Sequence, residues 1–399
     1  MVRVKRNVLA PMKLLVFSSL YPDSTRPRHG IFVETRLRHL LTDSAIQARV
    51  IAPVPWFPFT HPRYGSYAAY ARVPQAETYN AITVRHPRYL LLPKIGMSIA
   101  PWLMARAVMG SVRALMREGY DFDAIDAHYF YPDGIAAALI ARQLNKPLVI
   151  TARGSDLNLL ARYSLPRRWI CWAAKQATHL ITVSRALQQV LIGLGVPQEK
   201  ITVLRNGVDT NLFAPVERTS ERATLNFRSF TMLSVGNLVP AKGHDLAIAA
   251  TARIPDAQLV IIGEGPDRTR LKELAVAQEV TERVRFIDNI DQKTLRAYYG
   301  AADVLILASA REGWPNVLLE AMACGTPVIA ANAGGTPEII TEPEAGLLLT
   351  ERSADAIVSA VSALRERALD RTATRVYAER FGWDETTRGQ REIFSRISA

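Results

Sequence analysis

Short apolar runs alternate with amphipathic stretches along most of the chain. Residues 304–307 and 328–331 read Val-Leu-Ile-Leu and Val-Ile-Ala-Ala. Continuous apolar runs of this kind are typical of strands that are buried on both faces of a parallel sheet. A helix is predicted after each run, and the first of these should begin near Pro315, as the first helical residue, and end before Gly325. The region is therefore predicted to form two consecutive strand-loop-helix units.

The same alternation extends over the whole chain. In the first half, strands are predicted from Met12 and at 47–52, 123–127, 147–151, 179–183 and 200–204, and helices at 31–41, 98–117, 134–144, 169–176 and from Ser184 to about 194. In the second half, further strands are predicted at 230–235, 258–262 and 284–287, and further helices at 244–252, 267–278, 293–300, 353–367 and 378–398, the last broken near Gly382. Residues 56–70 fit neither the helix period nor the strand period. Residues 214–229 are predicted to be a linker.

Strands that alternate with helices predict the α/β class, with parallel, doubly wound sheets. The chain has 399 residues, more than one hydrophobic core usually serves. We therefore expect two Rossmann-like domains, at 1–215 and 216–377, whose parallel sheets face a central cleft. Residues 378–399 should form a helical segment that packs back on the first domain. Ligands are expected at the carboxyl ends of the strands.

Charge is unevenly distributed. The net charge is +12, but residues 1–215 contain 27 Lys and Arg against 12 Asp and Glu, whereas the remainder is slightly acidic. A basic half attracts anions such as lipid headgroups, nucleic acid or an acidic substrate, although arginines can also simply solvate a surface. The aromatic segment 56–70, beside Arg63 and Arg72, could contact a lipid interface or could be a packed loop.

The remaining composition limits the classes of protein. Two cysteines give neither a disulfide framework nor a metal cluster, and the first eleven residues lack the apolar run of a signal peptide. The best candidate for a membrane span, residues 95–116, is interrupted by Pro101, Arg106 and Arg113. We expect a cytoplasmic protein, with peripheral binding to the inner membrane face as an open alternative.

Three predicted strand-to-helix turns in the second half can present backbone N–H groups to an anion. They lie at 236–243, 263–266 and 312–316, and Lys242 adds a positive charge. Such groups suit a diphosphate leaving group without a metal ion. The Asp-x-Asp pair at Asp121 and Asp123 is most simply a solvated turn.

Other common motifs do not fit. Gly263-Glu-Gly265 lacks the third glycine of a dinucleotide fingerprint, and neither a phosphate-binding Walker motif nor a Gly-x-Ser-x-Gly elbow occurs.

Glu312 and Glu320 belong to the sequence Arg-Glu-Gly-Trp-Pro-Asn-Val-Leu-Leu-Glu-Ala-Met-Ala-Cys-Gly-Thr-Pro. This sequence resembles the paired-glutamate motif of family 4 retaining glycosyltransferases, which have the GT-B fold. Residues 206–209, 242–243, 263–266, 298–303 and 334–338 resemble the same family in the same order. His128-Tyr-Phe-Tyr-Pro-Asp-Gly and Thr151-Ala-Arg-Gly-Ser-Asp are similar to the branch that builds bacterial surface polysaccharides, including teichuronic-acid-type enzymes.

The resemblance implies roles for individual residues. Glu320 would bind the ribose of a nucleotide sugar, Glu312 would face the transferred sugar, Lys242 would contact the diphosphate, and His128 would lie near the anomeric carbon. The full donor site implied is Gly236, Asn237, Lys242, Gly263, Gly265, Glu312, Gly313, Trp314, Pro315, Asn316, Val317 and Glu320. The acceptor side is assigned Gly30, Arg153 and Asp156.

The resemblance also implies the chemistry. We expect a retaining reaction that uses no cofactor or metal, in which a leaving-group phosphate oxygen assists deprotonation of the acceptor. The partners would be a nucleotide-sugar donor, a sugar or lipid-linked sugar acceptor and an anionic membrane surface, with no nucleic acid. Family members usually have an arginine where this chain has Asn237. Diphosphate stabilisation would then rest more on Lys242 and on a basic residue such as Arg153 or Arg185.

Two other interpretations stay open at this point. A GT-B epimerase or phosphorylase would use the same cleft without a lipid acceptor. A noncatalytic basic protein that binds membrane or nucleic acid would account for the charge, but it would not need the polar turn motifs.

Overall fold

The computed structural model describes residues 11–43, 45–91, 96–367 and 370–398. These residues form two compact units. The first contains the described residues up to Val183, Leu187–Leu204 and the residues from Glu385 onward. The second contains Ser184–Ala186 and Arg205–Asp384. The chain therefore returns to its first unit at its carboxyl end.

The first unit is built on an eight-stranded sheet. Its strands run in the order β10-β9-β8-β7-β1-β2-β5-β4, and all neighbours are parallel except β4 and β5. Strands β3 and β6 form a separate parallel pair. The bounds are β1 (Met12–Phe17), β2 (Ile46–Ile51), β3 (Val54–Pro55), β4 (Ala76–Tyr79), β5 (Ile82–Arg85), β6 (Arg88–Tyr89), β7 (Ala124–His128), β8 (Leu148–Ala152), β9 (His179–Thr182) and β10 (Ile201–Val203).

Helices accompany this sheet in the alternating order that the sequence predicts. They are α1 (Ile31–Leu40), α2 (Ser66–Arg72), α3 (Gly96–Arg117), α4 (Ile135–Leu144), α5 (Ser155–Asn158), α6 (Ser164–Gln176) and α7 (Arg185–Gly193). Leu14 and Val16 on the central strand and Val33 and Leu37 on α1 belong to one buried cluster, because alternate strand residues face the same side of the sheet.

The second unit has a six-stranded sheet in which every pair is parallel, in the order β13-β12-β11-β14-β15-β16. Its strands are β11 (Phe230–Val235), β12 (Ala257–Ile262), β13 (Val284–Ile287), β14 (Val304–Leu307), β15 (Val328–Ala331) and β16 (Gly346–Leu349). Its helices are α8 (Arg218–Thr224), α9 (His244–Ala252), α10 (Arg268–Ala277), α11 (Gln292–Ala301), α12 (Asn316–Ala323), α13 (Ala354–Arg367) and α14 (Arg371–Glu379). The strand order reverses between β11 and β14, so ligands are expected at the carboxyl ends of these two strands.

The last helix, α15 (Asp384–Ser398), packs on the first unit. Ile393 and Phe394 are buried in the same cluster as strand β1 and helix α1. On its polar side, Arg391 lies 3.1 Å from the Asp43 carboxylate. The terminal helix therefore completes the core of the first unit.

The α/β class and the parallel sheets are confirmed, but several predicted elements were wrong or missed. The segment 56–70 contains a 3-10 turn and the start of α2, and strands β4, β5 and β16 were not predicted. The supposed linker contains helix α8, which belongs to the second unit. This helix is polar on its surface, and Arg218 and Arg222 tie it to Asp303, so no apolar period marks it in the sequence.

Candidate active site

At the carboxyl edge of the second sheet, neighbouring turns are in contact through their backbone atoms. A Cβ atom on Gly263 would lie 2.0 Å from the Gly236 carbonyl oxygen, and one on Gly334 would lie 1.8 Å from that of Glu312. Both glycines have φ values, +152° and +55°, that other residues rarely adopt. Leu238 N–H donates to the Glu264 carbonyl at 2.8 Å. The turns at 236–243 and 263–266 therefore lie against each other at a spacing that only glycine permits, and the contact between Lys242 and Glu312 joins the turn at 312–316 to them.

Lys242 and Glu312 form the charged centre of this edge. The Lys242 Nζ lies 2.6 Å from Glu312 Oε1, with 27% of the lysine side chain and 9% of the glutamate side chain exposed. The lysine stem passes over Gly236, where an added Cβ would meet it at 3.6 Å. The lysine retains an accessible face that could bind an incoming anion, while the pair neutralises the carboxylate in a partly buried setting.

Glu320 is held by a neighbouring tyrosine. Tyr299 O–H donates to Glu320 Oε2 at 2.9 Å, and Thr326 Oγ1 donates to the Tyr299 carbonyl at 2.5 Å. Burial raises the pKa of Glu320 to about 7, and the Tyr299 hydrogen bond lowers it against this trend. The charge of Glu320 therefore changes near neutral pH.

Helix α12 begins one residue later than predicted. Pro315 is its N-cap, with φ −79° and ψ 90°, and the first helical residue is Asn316. Pro315 offers no capping side chain, and Leu318 N–H donates to the Pro315 carbonyl at 3.1 Å, so the N–H groups of Asn316 and Val317 are those that can serve a ligand. Trp314 Nε1–H donates to the Asn206 carbonyl at 2.9 Å, and Asn206 Nδ2 donates to Asn316 Oδ1 at 3.3 Å. The Asn206-Gly-Val-Asp motif therefore supports the turn that carries Trp314.

His244 was not singled out from the sequence, although it directly follows Lys242-Gly243. It is buried, with Nδ1 2.8 Å from Ser234 Oγ and Nε2 3.3 Å from the Asn237 carbonyl. Burial lowers the pKa of His244 to about 4, so the ring is neutral at pH 7. It fixes the loop that carries Asn237, whose own side chain is exposed.

In the first unit, His128 ends strand β7 and is fully buried. Arg153 donates to its Nδ1 at 2.8 Å, so the ring proton resides on Nε2, which lies 3.3 Å from Asp126 Oδ2. Burial lowers the pKa of His128 to about 4, although Asp126 acts in the opposite direction. Both ring nitrogens contact protein groups, and the imidazole is neutral at pH 7. Arg36, also fully buried, adds a positive charge near Asp126.

The acceptor-side residues support the backbone of this unit. Asp156 is buried, and its carboxylate accepts N–H bonds from Phe130 at 2.9 Å and from Gly154 at 2.7 Å. It thereby ties the turn after β7 to the turn after β8. Gly30 has φ +67° at the start of α1, where a Cβ would lie 2.2 Å from the Leu20 carbonyl.

The predicted donor-site residues all lie in the second unit, and His128, Gly30, Arg153 and Asp156 all lie in the first. Their functional roles remain predictions. Asp126 and Arg36 were missed. Asp126 precedes His128 by two residues on β7, so the alternation of strand residues could have paired them, whereas only the packing of α1 on the sheet brings Arg36 near Asp126. Within the described residues, no group of three His, Cys, Asp or Glu side chains is placed to hold a metal ion.

Two Rossmann-like units, the second with a lysine, a paired carboxylate and an open helix start at its switch point, are the features of a GT-B glycosyltransferase. Family comparisons agree with this class. Residues 217–381 match the family described as Glycosyl transferases group 1, and residues 67–212 match Glycosyltransferase Family 4.

Individual relatives are similar over most of their length. The GDP-mannose-dependent alpha-(1-6)-phosphatidylinositol monomannoside mannosyltransferase of Mycolicibacterium smegmatis is 30% identical over 77% of this chain and 82% of its own length. TuaC of Bacillus subtilis, whose name assigns it as a glycosyltransferase to teichuronic acid biosynthesis, is 29% identical over 88% of both chains. The chain belongs to glycosyltransferase family 4.

Solved structures show the same fold. Sucrose-phosphate synthase from Thermosynechococcus elongatus superposes with a TM-score of 0.78 at 21% identity, covering 97% of this chain and 99% of that one. HepE of Anabaena, in complex with UDP and glucose, superposes with a TM-score of 0.75 at 20% identity, covering 96% of this chain and 100% of that one. The predicted GT-B fold is thereby confirmed, and the family matches confirm the glycosyltransferase class. Among the described residues, no helix has both the length and the apolar character needed to cross a bilayer.

Proposed function

We propose that this enzyme transfers a hexose from a nucleotide sugar to a sugar or lipid-linked sugar acceptor, with retention of anomeric configuration, in the biosynthesis of cell-surface polysaccharide or glycolipid. The names of TuaC and of the mycobacterial mannosyltransferase support this substrate class. The observation that carries the proposal is the Lys242–Glu312 pair beside the open start of helix α12.

Each part of this edge fits one part of a nucleotide sugar. Lys242 and the N–H groups at the start of α12 offer positive charge to the diphosphate, and this charge would stabilise the leaving group as it forms. Glu320, whose ionised carboxylate accepts hydrogen bonds, is assigned to the ribose hydroxyls. When the diphosphate takes over Lys242, Glu312 Oε1 can accept a hydrogen bond from the transferred sugar. Asn237 lies exposed in the same loop and can donate a neutral hydrogen bond.

The chemical step needs no protein nucleophile in this proposal. The bond between the anomeric carbon and the phosphate oxygen breaks while the acceptor oxygen bonds to the same face of that carbon. The acceptor proton moves to the leaving phosphate oxygen. The protein then contributes position and electrostatic stabilisation, and we propose that it does so without a metal ion or cofactor. His128, kept neutral by burial and by the nearby Arg153 and oriented by Asp126, is assigned to the sugar end of the donor.

A lipid-linked acceptor would be reached at an anionic membrane surface. Residues 44–117 contain nine Lys and Arg and a single acidic residue, Glu77. Within this segment Trp56, Phe59 and Trp102 are 50%, 54% and 54% exposed. Exposed indole rings next to basic side chains favour the headgroup region of anionic bilayers. We therefore also propose that the enzyme is cytoplasmic and binds peripherally to the inner face of the membrane.

The donor is tested first by thermal denaturation with UDP-, GDP- and ADP-sugars, because a ligand that binds the folded state raises the melting temperature. One donor should stabilise the natural chain, and Glu320→Ala should remove the effect. Transfer of the sugar to acceptors in a cell extract is then measured with and without EDTA. The anomeric configuration of the product is determined by NMR. An inverted product, or a loss of activity in EDTA that Mg²⁺ restores, would contradict the proposed chemistry. Epimerisation of the donor sugar without any acceptor would instead favour an epimerase.

Membrane binding is tested separately by co-sedimentation with vesicles. The natural chain should bind vesicles that contain anionic lipid more strongly than neutral vesicles, and Trp56→Ser with Trp102→Ser should weaken this binding. Trp172→Ser, in the first unit but outside the segment, serves as the control. Equal binding to both kinds of vesicle would count against a membrane role and leave the transfer reaction untouched.

A further inference from the structure

The second unit contains a cavity of about 160 Å³ that is separate from the donor site. It is lined by Phe230 at the start of β11 and by Asp303 just before β14, and it therefore lies at the amino ends of these parallel strands. The turns with Lys242 and Glu312 lie at the carboxyl ends of the same strands. The six residues of β11 separate the two places by about 20 Å, at roughly 3.3 Å per residue.

Positive charge dominates the cavity wall. Arg218, Arg365 and Arg371 line it, together with a single acidic residue, Asp303. The Asp303 carboxylate already accepts hydrogen bonds from Arg218, from Arg222 at 2.9 Å and from Thr231 N–H at 2.7 Å. One carboxylate is thus shared by two arginines, and it leaves the wall with an excess of positive charge.

Arg371 is anchored by neutral groups. Its guanidinium donates to the carbonyls of Ala302 at 3.0 Å and Gly300 at 2.7 Å and to Thr326 Oγ1 at 2.6 Å. These bonds fix the guanidinium in place without neutralising it. Burial lowers the pKa of Arg371 to about 10, with Arg218 acting in the same direction, so the side chain stays charged at pH 7.

Arg365 lines the cavity from helix α13. Its guanidinium lies 3.9 Å from the centroid of the Phe230 ring, and its Nη1 lies 3.2 Å from the carboxylate of Asp256, which is largely exposed. The aromatic face orients the guanidinium plane, whereas an exposed ion pair contributes little and is readily exchanged. Arg365 can therefore turn its N–H groups to a bound anion at small cost.

We propose that this cavity binds a phosphate group, either inorganic phosphate or the phosphoryl end of a phosphomonoester. Its volume of about 160 Å³ is ample for the five heavy atoms of a phosphate. Guanidinium groups match the geometry of tetrahedral oxyanions and bind them through charge-assisted, often bidentate, hydrogen bonds. The excess positive charge of the wall matches a dianion.

The test is calorimetric titration of the full chain with inorganic phosphate and, in a second arm, with glucose 6-phosphate. We expect a Kd on the order of 1 mM for at least one of them. Arg365→Gln should weaken binding about tenfold or more, because it removes a charge-assisted contact. Arg365→Lys keeps the charge but loses the planar guanidinium. Its affinity for phosphate should lie between those of the natural chain and Arg365→Gln.

Two further variants distinguish binding in this cavity from binding at the exposed surface or at the donor site. Arg253→Gln removes an arginine that pairs with exposed Asp355 near the other end of α13, and it should bind phosphate like the natural chain. Lys242→Met removes the charge of the donor site and should also leave this binding intact. The proposal is overturned if neither ligand binds, if Arg365→Gln and Arg253→Gln bind equally, or if Lys242→Met abolishes binding. Tighter binding of glucose 6-phosphate than of phosphate would identify a phosphomonoester as the ligand.

Discussion

Tyr299→Phe isolates one hydrogen bond of the candidate donor site. The substitution removes the hydroxyl that donates to Glu320 Oε2 at 2.9 Å and keeps the buried ring, which packs edge-on against Phe213 with centroids 6.0 Å apart. Burial raises the pKa of Glu320, and this hydroxyl is the group that lowers it. We therefore expect the pKa of Glu320 to rise further when the hydroxyl is lost.

The size of the effect follows from the energy of one charged hydrogen bond. Such a bond is worth about 1.5–3 kcal/mol, and about 1.36 kcal/mol corresponds to one pH unit in a pKa. The pKa of Glu320 should thus move from about 7 to about 8–9 in the variant. If the ionised carboxylate binds the ribose, the ionised fraction at pH 7 falls from about one half to about 1–10%, so donor affinity falls about five- to fiftyfold.

The assay is the dissociation constant of the stabilising nucleotide sugar, measured by calorimetry over a series of pH values around neutrality. In the natural chain, affinity should fall as the pH drops below about 7, because Glu320 becomes protonated. In Tyr299→Phe, the midpoint should lie higher, and the two proteins should converge at alkaline pH where both carboxylates are ionised. Tyr298→Phe, the neighbouring tyrosine of helix α11, should keep the natural midpoint. An unchanged midpoint in Tyr299→Phe would refute the assignment of Glu320 to the donor.

Three other predictions test separate parts of the chain. Lys242→Met should lower kcat about 100-fold or more, because charge stabilisation of the leaving group is lost, and an unchanged kcat in a transfer assay would remove the lysine from the mechanism. Gly334→Ala should abolish transfer, because its methyl group would lie 1.8 Å from the Glu312 carbonyl and the backbone has φ +55°; full activity would show that the Glu312 turn can move freely. Asp126→Asn should cost about 3–5 kcal/mol in urea denaturation, because it removes one member of a buried charged group. A loss below about 1 kcal/mol, as for a surface pair, would contradict that burial.

The local sequence was sufficient to predict those elements whose structure depends on neighbouring residues. The apolar runs at 304–307 and 328–331 are strands with the predicted bounds. Helix α9 also has its predicted bounds, because Gly243 precedes it and its apolar residues are continuous. Short elements were missed where stabilisation comes from distant partners. Helix α8 depends on Asp303, which lies far along the chain, and β16 pairs with β15 along a sheet edge.

The amino-acid sequence by itself determined the α/β class and the parallel sheets, and the motif around Glu312 and Glu320 indicated the family through its resemblance to known enzymes. These features depend on period and on short motifs, which are local properties of the chain. Only the tertiary structure decided that Lys242 pairs with Glu312, that Tyr299 holds Glu320, and that Asp126 and Arg153 fix the His128 ring. The physical reason is that strand order and backbone approach place these side chains together, and hydrogen bonds and burial then set their charges.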